Sequence, residues 1–380
     1  MATSNYATER ERIATLFSQH LNIWEDDFMT SKFNLVSAGL SNYLPHIDYN
    51  EHQDIFRNIL MHECLSKLEQ AHQEALDYVA CENLDHDKLG LLKKGGTIIC
   101  TFHTGSYRII NQVLIKNKIP FSLVIAKSVM DSQGGELTKI YERLSGDQGT
   151  ASFGLIDAES PGSGLRMLRE IKKGSNLVLY IDGNTGAGDG DNEKSNLCDI
   201  RFLGQRIFAR KGIAFLAHVA RSPILTVACY RKSIDDIRLQ FFDPICACAD
   251  EERETFAHIA TQKIYDLVAP VITKYPDQWE AWMYLHKVAH IVNPGIAMKK
   301  KEAMVDIKGD ARLMLNSREF GVIKVHEDGY LFKKSGYVSF AIDKEIYDLL
   351  SRSVLRPVMK KEMDPGKFSQ FYENNVVITV

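Results

Sequence analysis

Several features are missing from this chain of 380 residues, and each absence excludes something. No apolar run approaches the roughly 18–20 residues a membrane-spanning helix needs, so the expectation is no transmembrane segment. The polar stretch Met1 to Arg12 lacks the basic-then-apolar order of a secretory leader. Charge of one sign is not in excess: 46 Lys and Arg face 49 Asp and Glu, a formal net charge of -3, which gives no global case for nucleic acid or an anionic membrane. None of the seven cysteines forms a C-x-x-C pair, and no His or Cys follows Cys246-Ala-Cys248 at finger spacing, so no metal is expected. Several cysteines lie in apolar runs and read as reduced thiols of a cytoplasmic protein. No internal repeat is evident.

What is present is an ordinary globular composition, 45% hydrophobic and 25% charged, in a chain long enough for a large core. Apolar positions recur at three- and four-residue spacing through Ile13 to Trp24 and Ile55 to Val79, so residues 1–94 read as largely helical. From about Gly95 strand and helix patterns alternate. Strands are expected at Thr97–Phe102, Phe121–Ala126, Asn176–Ile181 and Ile224–Tyr230; helices at Tyr107–Asn117, Gly164–Lys173 and Gly212–Ala220. This alternation predicts an α/β fold with a mixed, mostly parallel sheet flanked by helices. Two helices, Glu251–Val268 and Asp277–Val288, follow, broken at Pro270 and Pro276. A boundary is expected near Asn293-Pro294-Gly295, giving a domain over residues 1–295 (α/β core 95–295) and a small α+β accessory module over 296–380. In that module a hairpin joins Glu319–Val325 to Gly329–Phe332, and Ile342–Arg352 reads as a helix.

Two segments stand out. Thr97 to Arg108 and Leu177 to Asn184 are apolar runs that end abruptly in polar, Gly-containing sequence, as buried parallel strands do when they deliver their C-terminal ends to a ligand crevice. His103 and Asp182 are therefore candidates for one site. A neutral imidazole there accepts a proton from an amine or hydroxyl, or it only caps the turn. Thr104, Gly105 and Ser106 are expected in the first helical turn, where free amides favour negative charge. Thr185 to Glu193 has the composition of a calcium loop without its ligand spacing, and reads as a loop beside the site.

From about Gly95 to His290 the chain resembles the lysophospholipid acyltransferase superfamily, in its lipid A late acyltransferase (lauroyl and myristoyl transferase) branch. The resemblance rests on an ordered set of segments. These are His103 after the first core strand, Leu165 to Gly174, Tyr180-Ile181-Asp182-Gly183-Asn184, Ile200 to Gln205, Gly212 to Ala217 and Tyr275-Pro276-Asp277-Gln278-Trp279. It implies a glycerol-3-phosphate acyltransferase-like fold. It also implies His103 as general base and, as donor, an acyl-CoA or the acyl-phosphopantetheine of an acyl carrier protein, with no further cofactor.

The chain departs from that pattern in three places. The family's H-x4-[DE] motif puts an acid where this chain has Arg108, and a guanidinium, having only donors, cannot orient an imidazole. Asp182 is the candidate substitute and Asp131, on an expected loop, a weaker one. Arg108 either meets a phosphate of the donor or forms a helix salt bridge. Arg206 and Arg210, flanking Phe208, either meet an anionic donor or form a solvated basic face; Asn184 joins them as a binding candidate. The apolar N-terminal anchor helix of the family is missing, which argues for a soluble acceptor rather than a bilayer lipid. The third departure is the C-terminal module. Leu313 to Leu350 resembles small peptide-binding domains that accept an added strand, which would make the acceptor a peptide; a module that only packs or dimerises is the alternative. The expectation is a cytoplasmic acyltransferase acting on an amine or hydroxyl. The rival is a catalytically altered homologue that binds a carrier protein or peptide.

Overall fold

The computed structural model describes residues 6–19, 21–24, 26–145, 153–183, 196–292, 307 and 309–380. In chain order the elements begin with helices α1 (Tyr6–Gln19), α2 (Asp27–Tyr43) and α3 (His52–Ala71). Next come β1 (Val79–Glu82), α4 (His86–Lys94), β2 (Ile98–Thr101), α5 (Ile109–Lys116), β3 (Phe121–Ile125), α6 (Lys127–Ser145) and β4 (Phe153–Asp157). They continue with α7 (Ser163–Lys172), β5 (Asn176–Tyr180), β6 (Leu197–Phe202), β7 (Gln205–Arg210), α8 (Gly212–Ala220), β8 (Ile224–Ser233), β9 (Asp236–Phe241) and α9 (Arg253–Lys274). The chain ends with β10 (Ala289–His290), β11 (Arg312–Leu315), β12 (Phe320–Val325), β13 (Asp328–Lys333), β14 (Val338–Ile342), α10 (Lys344–Leu355), β15 (Val358–Met359), α11 (Pro365–Glu373) and β16 (Val377–Thr379). The chain forms two compact units, residues 1–21 with 57–281 and residues 22–56 with 282–380. Among the described residues no helix is long and apolar enough to cross a membrane.

The first unit is α/β. Its seven-stranded sheet runs β1-β9-β8-β2-β5-β3-β4, and every neighbouring pair is parallel except the β8–β9 hairpin. The central strands β2 and β3 are buried at every position, which is why they read as unbroken apolar runs. The core packs Ile99, Ile110, Phe121, Tyr141, Val178 and Leu225. In β2 and β5, Thr101 stands opposite Tyr180. Two residues further on, His103 and Asp182 leave adjacent strands at the same level.

The sequence expectations for these elements hold to within a few residues, with two exceptions. Helix α9 runs through Pro270 to Lys274 instead of breaking there. Pro270 sits on the exposed face, where water can take the carbonyl left without its N–H partner. Beyond it, Asp277–Val288 is a series of short 3₁₀ turns rather than an α-helix.

The second unit differs from the division expected near Asn293, a position outside the described residues. Residues 22–56, read from the sequence as part of the first domain, belong with the C-terminal segment. The Asn34 amide donates to Val322 O at 2.8 Å, the Asn42 amide to Lys334 O at 2.8 Å, and the buried Lys334 ammonium to Ser37 Oγ at 2.7 Å. Gly321 leaves room for Asn34, since any Cβ at that position would collide with the amide. Strands β12, β13 and β14 form an antiparallel meander, β11 pairs with β15 and β16, and Leu313, Phe320, Leu331, Leu350 and Phe368 pack one core.

Candidate active site

The turn after β2 is fixed by the segment after α9. Thr104 and Trp279 form an antiparallel bridge, the Gly105 N–H donates to Gln278 O at 2.9 Å, and the Glu280 N–H donates to His103 O at 2.9 Å. Gln278 in turn grips β8: its amide accepts from Arg231 N–H and donates to Arg231 O, both at 2.7 Å. Gly105 lies at φ +56°, and a Cβ there would stand 3.0 Å from Tyr230 Cα and 3.2 Å from Cys229 O, so only glycine fits this approach.

This arrangement corrects one expectation. Helix α5 begins at Ile109, after Thr104, Gly105 and Ser106. The Thr104 and Gly105 amides are already engaged with Phe102 O and Gln278 O, and Ser106 Oγ accepts from Arg231 Nη2 at 2.6 Å. These three residues build the turn and offer no free amide cluster for an anion. Arg231 also pairs with buried Glu69, to which Tyr6 donates at 3.1 Å, so a buried polar network underlies the turn.

Asp182 stands where the sequence puts it, beside His103. Its Oδ1 lies 2.8 Å from His103 Nδ1, and the carboxylate also accepts the His103 N–H at 3.0–3.1 Å and Trp279 Nε1–H at 2.7 Å. An ionised carboxylate is an acceptor only, so Nδ1 carries the hydrogen and the lone pair lies on Nε2. Among the described residues Nε2 has no hydrogen-bond partner, and the His103 side chain is 19% exposed. Asp131, by contrast, is exposed on α6 and makes no contact with His103.

The imidazole is walled by Tyr107 and Tyr180, each with its ring centroid 4.8 Å away. Burial alone pulls His103 down. The Asp182 charge and hydrogen bond, with Glu280, override that and hold it above its ordinary value, with Arg108 opposing. Glu280 was not a candidate from sequence; the only signal was one acid in the apolar stretch Trp279-Glu280-Ala281-Trp282. Burial pushes its carboxyl up to about 7, against His103 and Arg108, which pull it down. A buried acid of raised proton affinity beside a histidine makes this a candidate functional site.

Arg108 caps the start of α5 with its guanidinium carbon 4.3 Å from the Tyr107 centroid. It makes no helix salt bridge. Arg210 donates to Gly183 O at 3.1 Å, next to Asp182, whereas Arg206 pairs with Asp199 at 2.8 Å. Asn184 and the segment Thr185–Glu193 lie outside the described residues. Cys246 and Cys248 are exposed, and among the described residues no group of three His, Cys, Asp or Glu side chains is placed to hold a metal ion.

The set comprises a carboxylate-bound histidine with an open nitrogen, a second acid and an arginine. It equips the strand ends for proton transfer to and from a nucleophile. A scan of family models and a search of curated proteins each return no match to this chain.

Proposed function

We propose that this protein is an acyltransferase of the lysophospholipid acyltransferase type. It would move an acyl group from an acyl-CoA or acyl carrier protein thioester to the amine or hydroxyl of a soluble acceptor in the cytoplasm. The observation that carries the reading is the 2.8 Å contact of His103 Nδ1 with Asp182, which leaves Nε2 without a hydrogen-bond partner among the described residues. His103 Nε2 takes the proton of the acceptor N–H or O–H as the nucleophile attacks the thioester carbon. The tetrahedral intermediate collapses, the C–S bond breaks, and the imidazolium returns the proton to the leaving thiolate. Asp182 steadies the imidazolium, and Trp279 steadies Asp182.

The pairing of the His103 turn with the Gln278–Glu280 segment supports the family reading, because it joins two of the resembling segments in space. The rival, a binding protein that has lost catalysis, predicts a filled or collapsed site, and the enzyme a pocket in which His103 touches a carboxylate; the Asp182 contact supplies that carboxylate and supports the enzyme.

The test is intact-mass detection of acyl transfer from an acyl-CoA and acyl carrier protein mixture to a pool of soluble amines and alcohols. His103→Ala should lower the rate by about 10²–10⁴ with the fold intact. The parent enzyme's rate should rise with pH along a limb set by His103, with a midpoint above the ordinary 6.5, because only the neutral imidazole accepts the proton. Full turnover by the alanine variant would overturn the reading.

A further inference from the structure

Among the described residues Arg108 is a cation with no direct ion pair. Its guanidinium is half-buried, rests on Tyr107 and donates only to Ser66 Oγ at 3.3 Å; among the described residues no carboxylate pairs with it within 4 Å. Glu63 and Glu280 lie close enough to act on it, but Glu63 is taken by Lys67 at 2.7 Å and Glu280 forms no ion pair. These groups together outweigh burial and favour its charged form, and with one hydrogen bond made its fork keeps donors to spare.

Its surroundings include a buried polar atom short of a partner. Asn111, three residues on and on the same side of α5, is 1% exposed and lies against the Tyr141 and Tyr180 hydroxyls, its side-chain partners. Nearer His103, the buried Oε1 of Glu280 has no hydrogen-bond partner among the described residues. Buried polar atoms are nearly always paired, and those that are not mark where a ligand or water belongs.

We propose that the acceptor is an amine carrying its own carboxylate, an α-amino acid in the simplest case, whose carboxylate seats on Arg108 while its nitrogen faces His103; this rests on the acyl-transfer reading above. Three observations select this class. The first is position. The Tyr107 ring touches both the guanidinium and the imidazole, with centroid distances of 4.3 and 4.8 Å. The guanidinium carbon and the imidazole centroid are therefore at most about 9 Å apart (4.3 Å plus 4.8 Å), a span that one amino acid can bridge. The phosphate of a phosphopantetheine donor is held away from its thioester by the whole pantetheine arm, so the anion belongs to the acceptor.

The second is charge count. One guanidinium with two acids nearby suits a monoanion, and its fork matches a carboxylate. The third is Glu280. Arg108 and Glu280 flank His103 with opposite charge and do not pair with each other, and an amino acid brings the same two charges in complementary order. The entering ammonium gives its first proton to the Glu280 carboxylate or to water. His103 Nε2 takes the second as the C–N bond forms. The C–S bond then breaks, and the thiolate recovers that second proton.

The test needs no acyl donor. Ligand-observed NMR on the full chain, with the twenty proteinogenic L-amino acids as probes, should find at least one binder. Its decarboxylated amine should bind roughly ten- to hundred-fold more weakly, the worth of one charge-assisted hydrogen bond. Arg108→Gln should lose the same factor and Arg108→Lys only part of it, each verified as folded by circular dichroism. The carboxylate should also raise the midpoint of the His103 ring resonance. The inference is overturned if no amino acid binds, if the binder ignores Arg108→Gln, or if 2-aminoethyl phosphate is preferred to every amino acid. Acyl transfer is scored separately: a carboxylate-dependent binder that is never acylated sinks the enzyme reading and spares the site. Acylation of a plain amine regardless of Arg108 does the reverse.

Discussion

Replacing Asp182 with asparagine exchanges one carboxylate oxygen for an NH₂ group and leaves volume unchanged. Three donors converge on that carboxylate: the His103 N–H, His103 Nδ1–H at 2.8 Å from Oδ1, and Trp279 Nε1–H at 2.7 Å from Oδ2. One amide oxygen cannot serve both rings. If it stays on Trp279, the amide NH₂ faces Nδ1, the imidazole moves its hydrogen to Nε2, and the base is lost. If it turns to His103, the NH₂ meets Trp279 Nε1–H and a buried donor goes unsatisfied, at a cost of about 1–3 kcal/mol. The first arrangement avoids the clash, so the rate of acyl transfer should fall by about 10²–10⁴, the range for a lost base or a wrong tautomer. Trp279→Phe removes the competing donor. In that background Asp182→Asn can turn its oxygen to Nδ1, so the double variant should recover part of the rate lost by Asp182→Asn alone. Single-turnover intact-mass kinetics measure the rate, and ¹⁵N shifts of the His103 ring report the tautomer without any substrate. An Asp182→Asn enzyme within about threefold of the parent, with Nδ1–H still the tautomer, would refute this reasoning.

Three further outcomes follow from the packing. Lys334 is fully buried, donating to Ser37 Oγ at 2.7 Å and Ser317 O at 2.6 Å, and burial pulls its ammonium from 10.5 down to about 7. Above that pH the unfolded chain keeps a proton the folded lysine has released. Stability should therefore rise between pH 7 and about 8.5, by up to ~1.4 kcal/mol per pH unit, and Lys334→Met should abolish the rise; an unchanged slope in urea titrations counts against it. Deleting residues 296–380 removes Val322 O from Asn34 and Lys334 O from Asn42, so α2 should lose protease protection; a truncated chain with residues 27–43 still protected contradicts the division into units. Gly105→Ala places a Cβ 3.0 Å from Tyr230 Cα at φ +56° and should cost about 1–3 kcal/mol in thermal unfolding, so an unchanged Tm would show that the turn yields.

The α/β class was legible because its strands β2, β3 and β5 are buried runs with no polar alternation, and the pairing of His103 with Asp182 because two of those runs lead into them. What the sequence concealed was long-range. Nothing near Asn34 announces that its amide meets Val322, 288 residues later, and so residues 22–56 read as part of the first domain. The amides of Thr104 and Gly105 looked free because a polar turn ahead of a helix normally leaves them so; their acceptors, Phe102 O and Gln278 O, belong to a local fold-back and to a segment beyond α9.

Arg108 is the instructive case. Read alone, an arginine where the family that the sequence resembles carries an acid looks like lost catalysis. In three dimensions Asp182, on the neighbouring strand, occupies Nδ1, so an acid at position 108 would have no ring nitrogen to orient. That position is then free to take a side chain of opposite sign. On the proposed reading it takes the one that recognises the acceptor, while Glu280, held by its own backbone N–H on His103 O, supplies the balancing negative charge. The exchange is coherent only as a set: Arg108→Glu alone would put a third acid beside Asp182 and Glu280. Like charges in a buried site raise each other's proton affinity, so the variant should push Glu280 further toward its neutral form and should not restore a family-like enzyme.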